Sequence, residues 1–407
     1  MVQAVQSDED YVTAEITMTL LNTPPEPAIT KLSPPLFALS QRGRASMEIL
    51  GSIQKYASDR IRSLARADFE ADPSAIALIA EHTADTQGEG GRARISAARR
   101  ISDGLPMFRL ERFIQRYVAE ENFNTGIPAI EERREQFERF GNLPIATSAG
   151  GTLELDPEVE RPRYYEVDWH LEPGGWDGYD LYGPLFAFAV GPLVFSKGGY
   201  AAVASGEDIG RQRIDAVRQL PKARYERIYE PGCGGATTLR ALNTVFPEAE
   251  LVGSDLSTLL LGNGHRMAEK LGFKAHLKQR DSLRTGEPDA SFDAVITYAL
   301  HHELPPKANA ALFKEMFRIM KPGADIVISD PPPFRAVDLF QAVLLDWETT
   351  NRNEPLFSAV LHSSLDDQLT AAGFAQVESY AIGQGSYPWI TRAVKPEAPL
   401  LATQVHA

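Results

Sequence analysis

Three carboxylates follow three successive predicted strands in the second half of the chain. Glu230 ends RIYE, Asp255 ends ELVGSD and Asp281 ends LKQRD. Open α/β folds bind their ligands outside the carboxyl ends of parallel strands, so these three acids should line one site. Single acids of this kind often cap helices, but three at this spacing favour a shared ligand. The pattern predicts a site for a ligand rich in hydroxyl and amino groups.

Glycines follow the first of these acids in IYEPGCGGATT. Gly232, Gly234 and Gly235 permit dihedral angles and close backbone approaches that a Cβ would block. The dinucleotide fingerprint G-x-G-x-x-G fails at its third glycine, where Thr237 stands. Glu230 would also repel a pyrophosphate at short range. The turn therefore favours a ligand that carries a cationic or amino group.

The second and third acids suit the two halves of a nucleoside. Asp255 ends its strand twenty residues after Gly235, where a carboxylate can accept both ribose hydroxyls. Leu256 offers an apolar surface to an adenine face. Asp281 could accept a hydrogen bond from the exocyclic amine.

The surrounding elements can position these residues. From about 206 onward, strand-like and helix-like segments alternate, which predicts a parallel sheet covered by helices on both faces. The last two strands, AQVESYAIG and YPWITRAVK, are joined by a link too short for a parallel crossover and should pair antiparallel. From about 31 to 140 apolar residues recur at helical spacing, as at Met47 and Leu50. Residues 141–205 are rich in glycine, proline and aromatic residues.

The segment 206–395 resembles the class I S-adenosylmethionine-dependent methyltransferases. EPGCGGA matches the consensus E/D-x-G-x-G-x-G with Ala236 in place of the last glycine, and SFDAVITYALHHELP, KPGADIVISD and AAGFAQVESYAIG match later segments in order. The resemblance implies an α/β, Rossmann-like, seven-stranded and mostly parallel sheet with an antiparallel last strand. It also implies S-adenosyl-L-methionine as the cofactor of a methyltransferase.

The same resemblance implies roles for individual residues. The backbone of the glycine turn would contact the methionine part, and the end of the fourth strand, at Tyr298, would lie beside the methyl group. Ser282 would join Asp281 at the adenine. The predicted cofactor-binding residues are Glu230, Gly232, Cys233, Gly234, Asp255, Leu256, Asp281, Ser282 and Tyr298.

These differences in composition and apolar periodicity predict four segments of the chain. Residues 1–140 form a mainly helical N-terminal domain that could dimerise, cap the substrate or do both. Residues 141–205 form an aromatic, glycine- and proline-rich connector. Residues 206–395 form the methyltransferase domain, and 396–407 form a flexible tail.

Two histidines follow the fourth strand, where the acceptor should sit. Histidine can remove a proton from a nucleophile near neutral pH, which predicts His301 or His302 as the catalytic base. Small-molecule O-methyltransferases, which the chain resembles here, carry His-Asp-Trp at this place; His301 matches, whereas His302 and Glu303 depart. A structural or orienting role for either histidine stays open. Consecutive side chains of an extended chain point apart, so we expect no metal site.

Aromatic residues outside the sheet could line the acceptor pocket. The insert 333–357 supplies Phe334 and Trp347, and the connector supplies His170 and Trp176. Ordinary packing against the core is the alternative for each of them.

The composition indicates which kinds of partner and which cellular compartment suit this chain. The formal net charge is −14 and the isoelectric point is about 5.1, which disfavours nucleic acid as a partner. Cys233 is the only cysteine, which excludes an internal disulfide and fits a reducing compartment. The first residues carry no secretory pattern, and 183–195 is too short to span a membrane. We expect a cytoplasmic protein.

Together these features predict a methyltransferase that acts on an oxygen or carbon of a small, partly apolar metabolite, such as those of secondary metabolism. A homodimer is a further expectation. The alternatives are a protein or RNA methyltransferase, and a non-catalytic regulatory protein that retains the fold.

Overall fold

A computed structural model describes most of the chain. The described residues are 37–82, 89–142, 148–199, 209–383 and 386–397. Contacts divide the chain into the units Met1–Ala38 and Leu39–Ala407, and all that follows concerns the second. The predicted tail lies outside the described residues from 398 onward. The predicted domain boundaries and the homodimer stay predictions.

The N-terminal part of this unit is helical, as predicted. Its helices are α1 (Gln41–Tyr56), α2 (Arg62–Ala71), α3 (Pro73–His82), α4 (Glu89–Gly104), α5 (Pro106–Glu131) and α6 (Arg134–Gly141). The side chain of Ser40 caps α1 by accepting a hydrogen bond from the backbone N–H of Gly43 at 3.0 Å. The periodic apolar residues Met47 and Leu50 are buried as the spacing predicts, whereas Leu64, which the same spacing predicts on this face, is 56% exposed.

The connector is more regular than its composition predicts. It contains β1 (Thr152–Glu154), three 3₁₀ turns (Arg163–Tyr165, Trp169–Leu171 and Gly175–Asp177), α7 (Tyr182–Leu185), a π-helical stretch (Phe186–Phe195) and α8 (Ser196–Gly198). The π-helical stretch packs closely on α1, because a Cβ on Gly51 would lie 2.0 Å from the carbonyl oxygen of Leu193. Glycine is therefore required at this crossing.

One sheet carries the second half of the unit. Its further strands are β2 (Arg227–Pro231), β3 (Glu250–Asp255), β4 (Ala275–Gln279), β5 (Phe292–Tyr298), β6 (Met320–Asp330), β7 (Ala375–Ala381) and β8 (Trp389–Val394). The strand order is β1-β4-β3-β2-β5-β6-β8-β7. All pairs are parallel except those of β8, which runs antiparallel to β6 and β7. The predicted sheet is thus confirmed, and β1 of the connector adds an eighth strand at its edge.

Helices cover both faces of the sheet. They are α9 (Ile209–Val217), α10 (Thr237–Val245), α11 (Thr258–Leu271), α12 (Pro306–Ile319), α13 (Leu339–Asn351), α14 (Phe357–Leu361) and α15 (Leu365–Ala372). Leu239 and Leu261 are buried in one core cluster, and Leu312 and Phe313 are buried in another.

The N-terminal helices pack on the insert that follows β6. Phe340 of α13 meets Phe69 of α2 with ring centroids 5.6 Å apart, and it meets Phe108 of α5 at 6.1 Å. This third apolar cluster fixes the helical region beside the carboxyl edge of the sheet. Within the described ranges, no helix combines the length and the apolar character needed to cross a bilayer.

Candidate active site

The glycine turn after β2 adopts backbone angles that need small residues. Gly232 has a φ of +64° and Gly234 one of +48°. A Cβ on Gly232 would lie 2.6 Å from Cδ1 of Leu300. Ala236 stands where the consensus has its last glycine, and its φ of +62° keeps the left-handed angle despite the Cβ. The turn therefore keeps its shape without the third glycine.

Cys233 serves this turn through its backbone and its small size. Its N–H donates to the carbonyl oxygen of Ser254 at 2.9 Å, which ties the turn to the end of β3. A Cβ on Gly253 would lie 2.7 Å from Sγ of Cys233, so the thiol fills the space above a glycine. Burial raises the pKa of this thiol well above its usual range, which leaves it protonated.

Glu230, at the end of β2, is a buried carboxyl group with an unsatisfied oxygen. The residue is 2% exposed, and its Oε2 has no hydrogen-bond partner among the residues that the structure describes. Burial raises the pKa of Glu230 to about 8, although the nearby charge of Arg213 opposes the shift. The Arg213 guanidinium lies 4.0 Å above the ring of Tyr298, which is itself buried at the end of β5.

Asp255 is held from both sides at the end of β3. Its Oδ2 accepts from the N–H of Gly234 at 2.8 Å, and its Oδ1 accepts from the N–H of Ser257 at 2.9 Å. Burial raises the pKa of this carboxyl. The connector reaches the same place, because Asp177 accepts from Oγ of Ser257 at 2.6 Å and from the hydroxyl of Tyr165 at 2.9 Å.

Asp281 and Ser282 follow β4, one strand farther along the same edge. Oδ1 of Asp281 accepts from the N–H of Leu283 at 2.9 Å, and the hydroxyl of Ser282 lies 3.1 Å from that of Ser254. Burial, with the charge of Asp281, raises the pKa of Tyr164 in the connector to about 12. The three predicted acids therefore stand at the ends of three adjacent strands. Leu256 is half-buried directly after Asp255.

His301 lies in the interior rather than at an open edge. Its side chain is fully buried, with Nε2 3.1 Å from Oγ1 of Thr297 and Nδ1 2.7 Å from Oδ1 of Asn309. Its ring also stacks on Phe313 with centroids 5.0 Å apart. Burial lowers the pKa of this imidazole. Both ring nitrogens are thus engaged by neighbours inside the fold.

His302 faces a different environment, although it is the next residue. Its Nδ1 lies 2.5 Å from Oδ1 of Asp330 at the end of β6, and its Nε2 lies 3.7 Å from Oε1 of Glu303. Burial lowers the pKa of His302, but the charge of Asp330 and the hydrogen bond to it raise the value to about 9. Burial raises the pKa of Glu303 to about 8.

The connector brings a second histidine to this place. Nε2 of His170 lies 2.9 Å from Oε1 of Glu354 and 3.7 Å from Oε1 of Glu303. We refer to His170, His302, Glu303 and Glu354 as the histidine–glutamate cluster. The ring of Trp176 meets the His170 ring edge-on with centroids 5.1 Å apart. Two of the predicted pocket residues, His170 and Trp176, thus lie together, with His170 next to His302.

The region that contains these features also matches a known family. A protein-family model described as a methyltransferase domain matches residues 228–323, from β2 through the glycine turn and the histidines to β6. Residues 228–323 form a class I S-adenosylmethionine-dependent methyltransferase domain. The match confirms the predicted family and S-adenosyl-L-methionine as its cofactor.

Curated relatives of this methyltransferase domain act on different acceptors. A demethylmenaquinone methyltransferase of Deinococcus radiodurans is 32% identical over 139 residues, which are 34% of this chain and 56% of that protein. Ribosomal RNA large subunit methyltransferase G of Streptomyces coelicolor is 27% identical over 179 residues, 42% of this chain and 44% of that protein. The chain spans about half the length of these relatives.

The fold also resembles solved methyltransferase structures. A phosphoethanolamine N-methyltransferase of Haemonchus contortus, solved with S-adenosylhomocysteine, is similar with a TM-score of 0.37 and 16% identity. The similarity covers 46% of this chain and 52% of that one.

Two features of the methyltransferase domain fit the cofactor. The unpartnered Oε2 of Glu230 can accept from the ammonium group of the methionine part, which would remove the cost of its burial. A Cβ on Gly235 would meet no described atom within 4 Å, so there is open space in front of the turn. These residues therefore offer an acceptor for the ammonium group and space beside the turn.

The two predicted pocket residues of the insert lie elsewhere. Phe334 is fully buried and Trp347 is 7% exposed, and both belong to the apolar cluster between α13 and the N-terminal helices. The Arg112 guanidinium lies 4.9 Å above the Trp347 ring. Their positions match the packing alternative rather than a surface open to an acceptor.

Several residues of the site were not among those the sequence singled out. They are Tyr164, Tyr165, Glu172, Asp177 and Glu354. The dense aromatics of the connector were a general indication for the tyrosines, but nothing in the local pattern marked the acids. Their positions depend on how the connector and the segment after α13 fold over the sheet.

Proposed function

We propose that the protein transfers the methyl group of S-adenosylmethionine to an oxygen atom of a small acceptor. The observation that carries this proposal is the histidine–glutamate cluster, a group of ionisable side chains beside the cofactor turn and covered by the connector. The link between the two runs through Leu300, whose side chain packs on Gly232 directly before His301 and His302.

The cofactor would lie along the row of acids. Glu230 would receive its ammonium group and the glycine turn its methionine part, with Tyr298 beside the methyl group. Asp255 would hold the ribose, and Asp281 with Ser282 would receive the adenine next to Leu256. Asp177 and Tyr165 would cover the ribose end. Asp177 accepts hydrogen bonds from the hydroxyl groups of both Tyr165 and Ser257.

The acceptor would lie in front of the cluster. Methyl transfer from a sulfonium is an in-line displacement, so the protein must position both partners and take up the proton of a hydroxyl nucleophile. The carboxylate of Glu354 would receive that proton. His302, which is held by Asp330 and is largely protonated at neutral pH because of its pKa of about 9, would orient the hydroxyl together with Glu303. We assign His301 a structural role in place of the predicted base, because both of its ring nitrogens are occupied.

A small acceptor suits the cover and the charge of this site. His170 of the connector lies next to His302 and Glu303, and the Trp176 ring packs edge-on against His170, so the connector would restrict the approach to this site. The net charge of −14 disfavours a polyanion such as RNA. One curated relative nevertheless bears the name of a ribosomal RNA methyltransferase, so RNA is the competing outcome of the experiment.

Transfer of a labelled methyl group tests the proposal. The purified full chain is incubated with methyl-tritiated S-adenosylmethionine and a cell extract, which is then separated into small-molecule, RNA and protein fractions. We expect label in an extractable small molecule, with Asp255→Asn as the inactive control. Label confined to RNA or to protein would overturn the proposed acceptor class.

A further inference from the structure

The histidine–glutamate cluster has the composition of a metal site. We infer that His170, His302 and Glu303 bind a divalent transition-metal ion, with Glu354 as a fourth donor. This inference rests on the proposed function in one respect, since the ion would hold the oxygen of the acceptor at the methyl-transfer site.

The distances suit coordination after a small contraction. One ligand atom from each of His170, His302 and Glu303 lies within 4.8 Å of the other two. Both Nε2 atoms are 3.7 Å from Oε1 of Glu303. Ligand atoms about 2.0–2.2 Å from one ion lie roughly 3–4 Å apart, so movements of well under a side-chain length would close the site.

The partner of His302 prepares its lone pair for a metal. The Asp330 carboxylate can only accept, so the hydrogen bond at 2.5 Å places the imidazole proton on Nδ1. Nε2, which lies 3.7 Å from Oε1 of Glu303, is then the ring nitrogen that an ion can bind in exchange for a proton. Metal-binding histidines in proteins are commonly held by a carboxylate on the other ring nitrogen.

A similar arrangement surrounds His170. Its Nδ1 lies 3.7 Å from Oε1 of Glu172, which in turn accepts from the hydroxyl of Tyr182 at 3.3 Å. Its Nε2 lies 2.9 Å from Oε1 of Glu354, and a bound ion would replace the proton between these two atoms. Two successive non-glycine residues, His170 and Leu171, hold φ angles of 57° and 66°, so the backbone is strained where this imidazole is presented.

Buried carboxylates with unsatisfied oxygens surround the two imidazoles, and a cation could satisfy these oxygens. Four carboxylates meet here, those of Glu172, Glu303, Asp330 and Glu354. Glu172 is 4% exposed and Glu354 is 6% exposed, and Oε2 of each lacks a hydrogen-bond partner within the described part of the chain. The cations that face them are the two imidazoles and Arg352.

One of these cations, Arg352, does not serve the cluster alone. Arg352 is shared with Glu348, from which its Nε lies 3.3 Å away. Buried carboxylates without enough opposite charge are costly, and a divalent cation would offset that cost.

The ligand set selects the kind of ion. Two imidazole nitrogens with carboxylate oxygens suit Zn²⁺, Fe²⁺ or Ni²⁺, whereas Mg²⁺ and Ca²⁺ prefer oxygen donors alone. Such ions accept additional ligands beyond three or four protein groups, so a position remains for an acceptor hydroxyl. Coordination there would make the hydroxyl more acidic and place its oxygen for attack on the methyl group. As the new carbon–oxygen bond forms, the carbon–sulfur bond of the cofactor would break, and the hydroxyl proton would pass to the unsatisfied Oε2 of Glu354. The acceptor class that follows is a hydroxyl-bearing small molecule.

Calorimetric titration with Zn²⁺ tests the site. The full chain is treated with a chelator, freed from it by gel filtration, and titrated separately with ZnCl₂ and MgCl₂ in a non-chelating buffer. We expect one Zn²⁺ per chain and much weaker binding of Mg²⁺. His170→Gln and Glu303→Gln should each weaken Zn²⁺ binding by more than about tenfold. Replacing a residue that only hydrogen-bonds to a metal ligand already lowers metal affinity by that factor.

The control is His276→Gln, which removes an imidazole on β4 that is bonded to Thr152 instead of the cluster. It should leave Zn²⁺ affinity unchanged, and thermal unfolding of each variant verifies its fold. Absence of Zn²⁺ binding, or binding that neither cluster variant weakens, overturns the inference.

Binding of S-adenosylmethionine to the same samples keeps the two proposals separate. If cofactor binding is normal and Zn²⁺ does not bind, only the metal site is lost. If the cofactor does not bind and Zn²⁺ does, the metal site stands and the proposed function is lost.

Discussion

Nδ1 of His302 lies 2.5 Å from Oδ1 of Asp330, and this contact joins the ends of the adjacent strands β5 and β6. The other oxygen of the same carboxylate accepts from the backbone N–H of His301 at 2.7 Å. One aspartate therefore fixes both the turn that carries the histidines and the tautomer of the histidine that faces the acceptor.

Asp330→Asn should reduce turnover while leaving cofactor affinity unchanged. An amide has one acceptor oxygen, but both the His301 N–H and His302 Nδ1 require an acceptor, so one donor would face an NH₂ group. We expect a loss of about 10–100-fold in kcat and in Zn²⁺ affinity. Losses in this range are typical when a residue that hydrogen-bonds to a metal ligand is replaced.

The matched control for this change is Asp325→Asn on the same strand. Asp325 is equally buried and accepts from the hydroxyl of Tyr225 at 2.9 Å, but it lies in the middle of β6, five residues before Asp330. It should lower stability without lowering kcat. Equal losses of kcat in both variants would show that Asp330 acts only through stability.

The strands and the acids of the cofactor site were predictable from sequence, because both depend on local pattern. An apolar run that ends in an acid, as at Asp255 and Asp281, predicts both a buried parallel strand and the edge of the sheet at which the acid lies. The contact between His170 and Glu303 was not predictable, since 133 residues separate them along the sequence. Only the path of the connector over the sheet brings them together.

The two adjacent histidines show the same limit on a smaller scale. Both follow β5 and carry the same side chain, so their spacing gives no reason to distinguish them. Both histidines lie in one 3₁₀ turn after β5. There His301 points to Asn309 inside the fold, while His302 points to Asp330 at the edge. The short β1 was missed for a related reason, because three residues are too few to show strand alternation.

His301→Ala should act on stability, and His302→Gln should act on turnover. Loss of the His301 ring removes the partner of Oγ1 of Thr297 and of Oδ1 of Asn309, which costs roughly 1–3 kcal/mol for each buried group left unsatisfied. Urea unfolding should show this loss for His301→Ala. Steady-state kinetics should show a lower kcat for His302→Gln with an unchanged affinity for S-adenosylmethionine. The reverse assignment of effects would contradict the proposed roles.

Two glycines of the cofactor turn should respond differently to alanine. Gly232→Ala combines a φ of +64° with a contact of 2.6 Å to Leu300, and the left-handed angle alone costs about 1–2 kcal/mol. Gly235→Ala meets no described atom within 4 Å and has no positive φ. Denaturant unfolding should show a clear loss for Gly232→Ala and little change for Gly235→Ala. Equal stability of the two variants would argue against the geometry of this turn.

Cofactor binding should release protons from Glu230. Burial raises the pKa of this carboxyl to about 8, so it is mostly protonated at pH 7 in the free protein, and an adjacent ammonium group would favour its ionised form. Binding therefore lowers the pKa of Glu230, and affinity should rise with pH up to about 8. Calorimetry at pH 7 in buffers of different ionisation enthalpy should show more proton release for the wild type than for Glu230→Gln. Equal proton release would mean that this carboxyl does not meet the ammonium group.

The same shift affects the free protein. The folded pKa of Glu230 lies above the ordinary value of 4.5, so the fold favours the protonated form. Its contribution to the free energy of unfolding is present below about pH 4.5 and is lost as the pH rises through 8. Glu230→Gln should flatten this part of the stability profile of the cofactor-free protein.

Binding of S-adenosylmethionine, measured by titration calorimetry, tests the central claim most directly. We expect one site per chain in the wild type, and a loss of at least about tenfold in Asp255→Asn, because hydrogen bonds to a charged group contribute about 1.5–3 kcal/mol. Asp215→Asn, a half-exposed acid on α9 that is paired with Arg218, should bind as the wild type does. No binding by the wild type, or equal affinity in Asp255→Asn, would contradict a cofactor held along the row of strand-end acids.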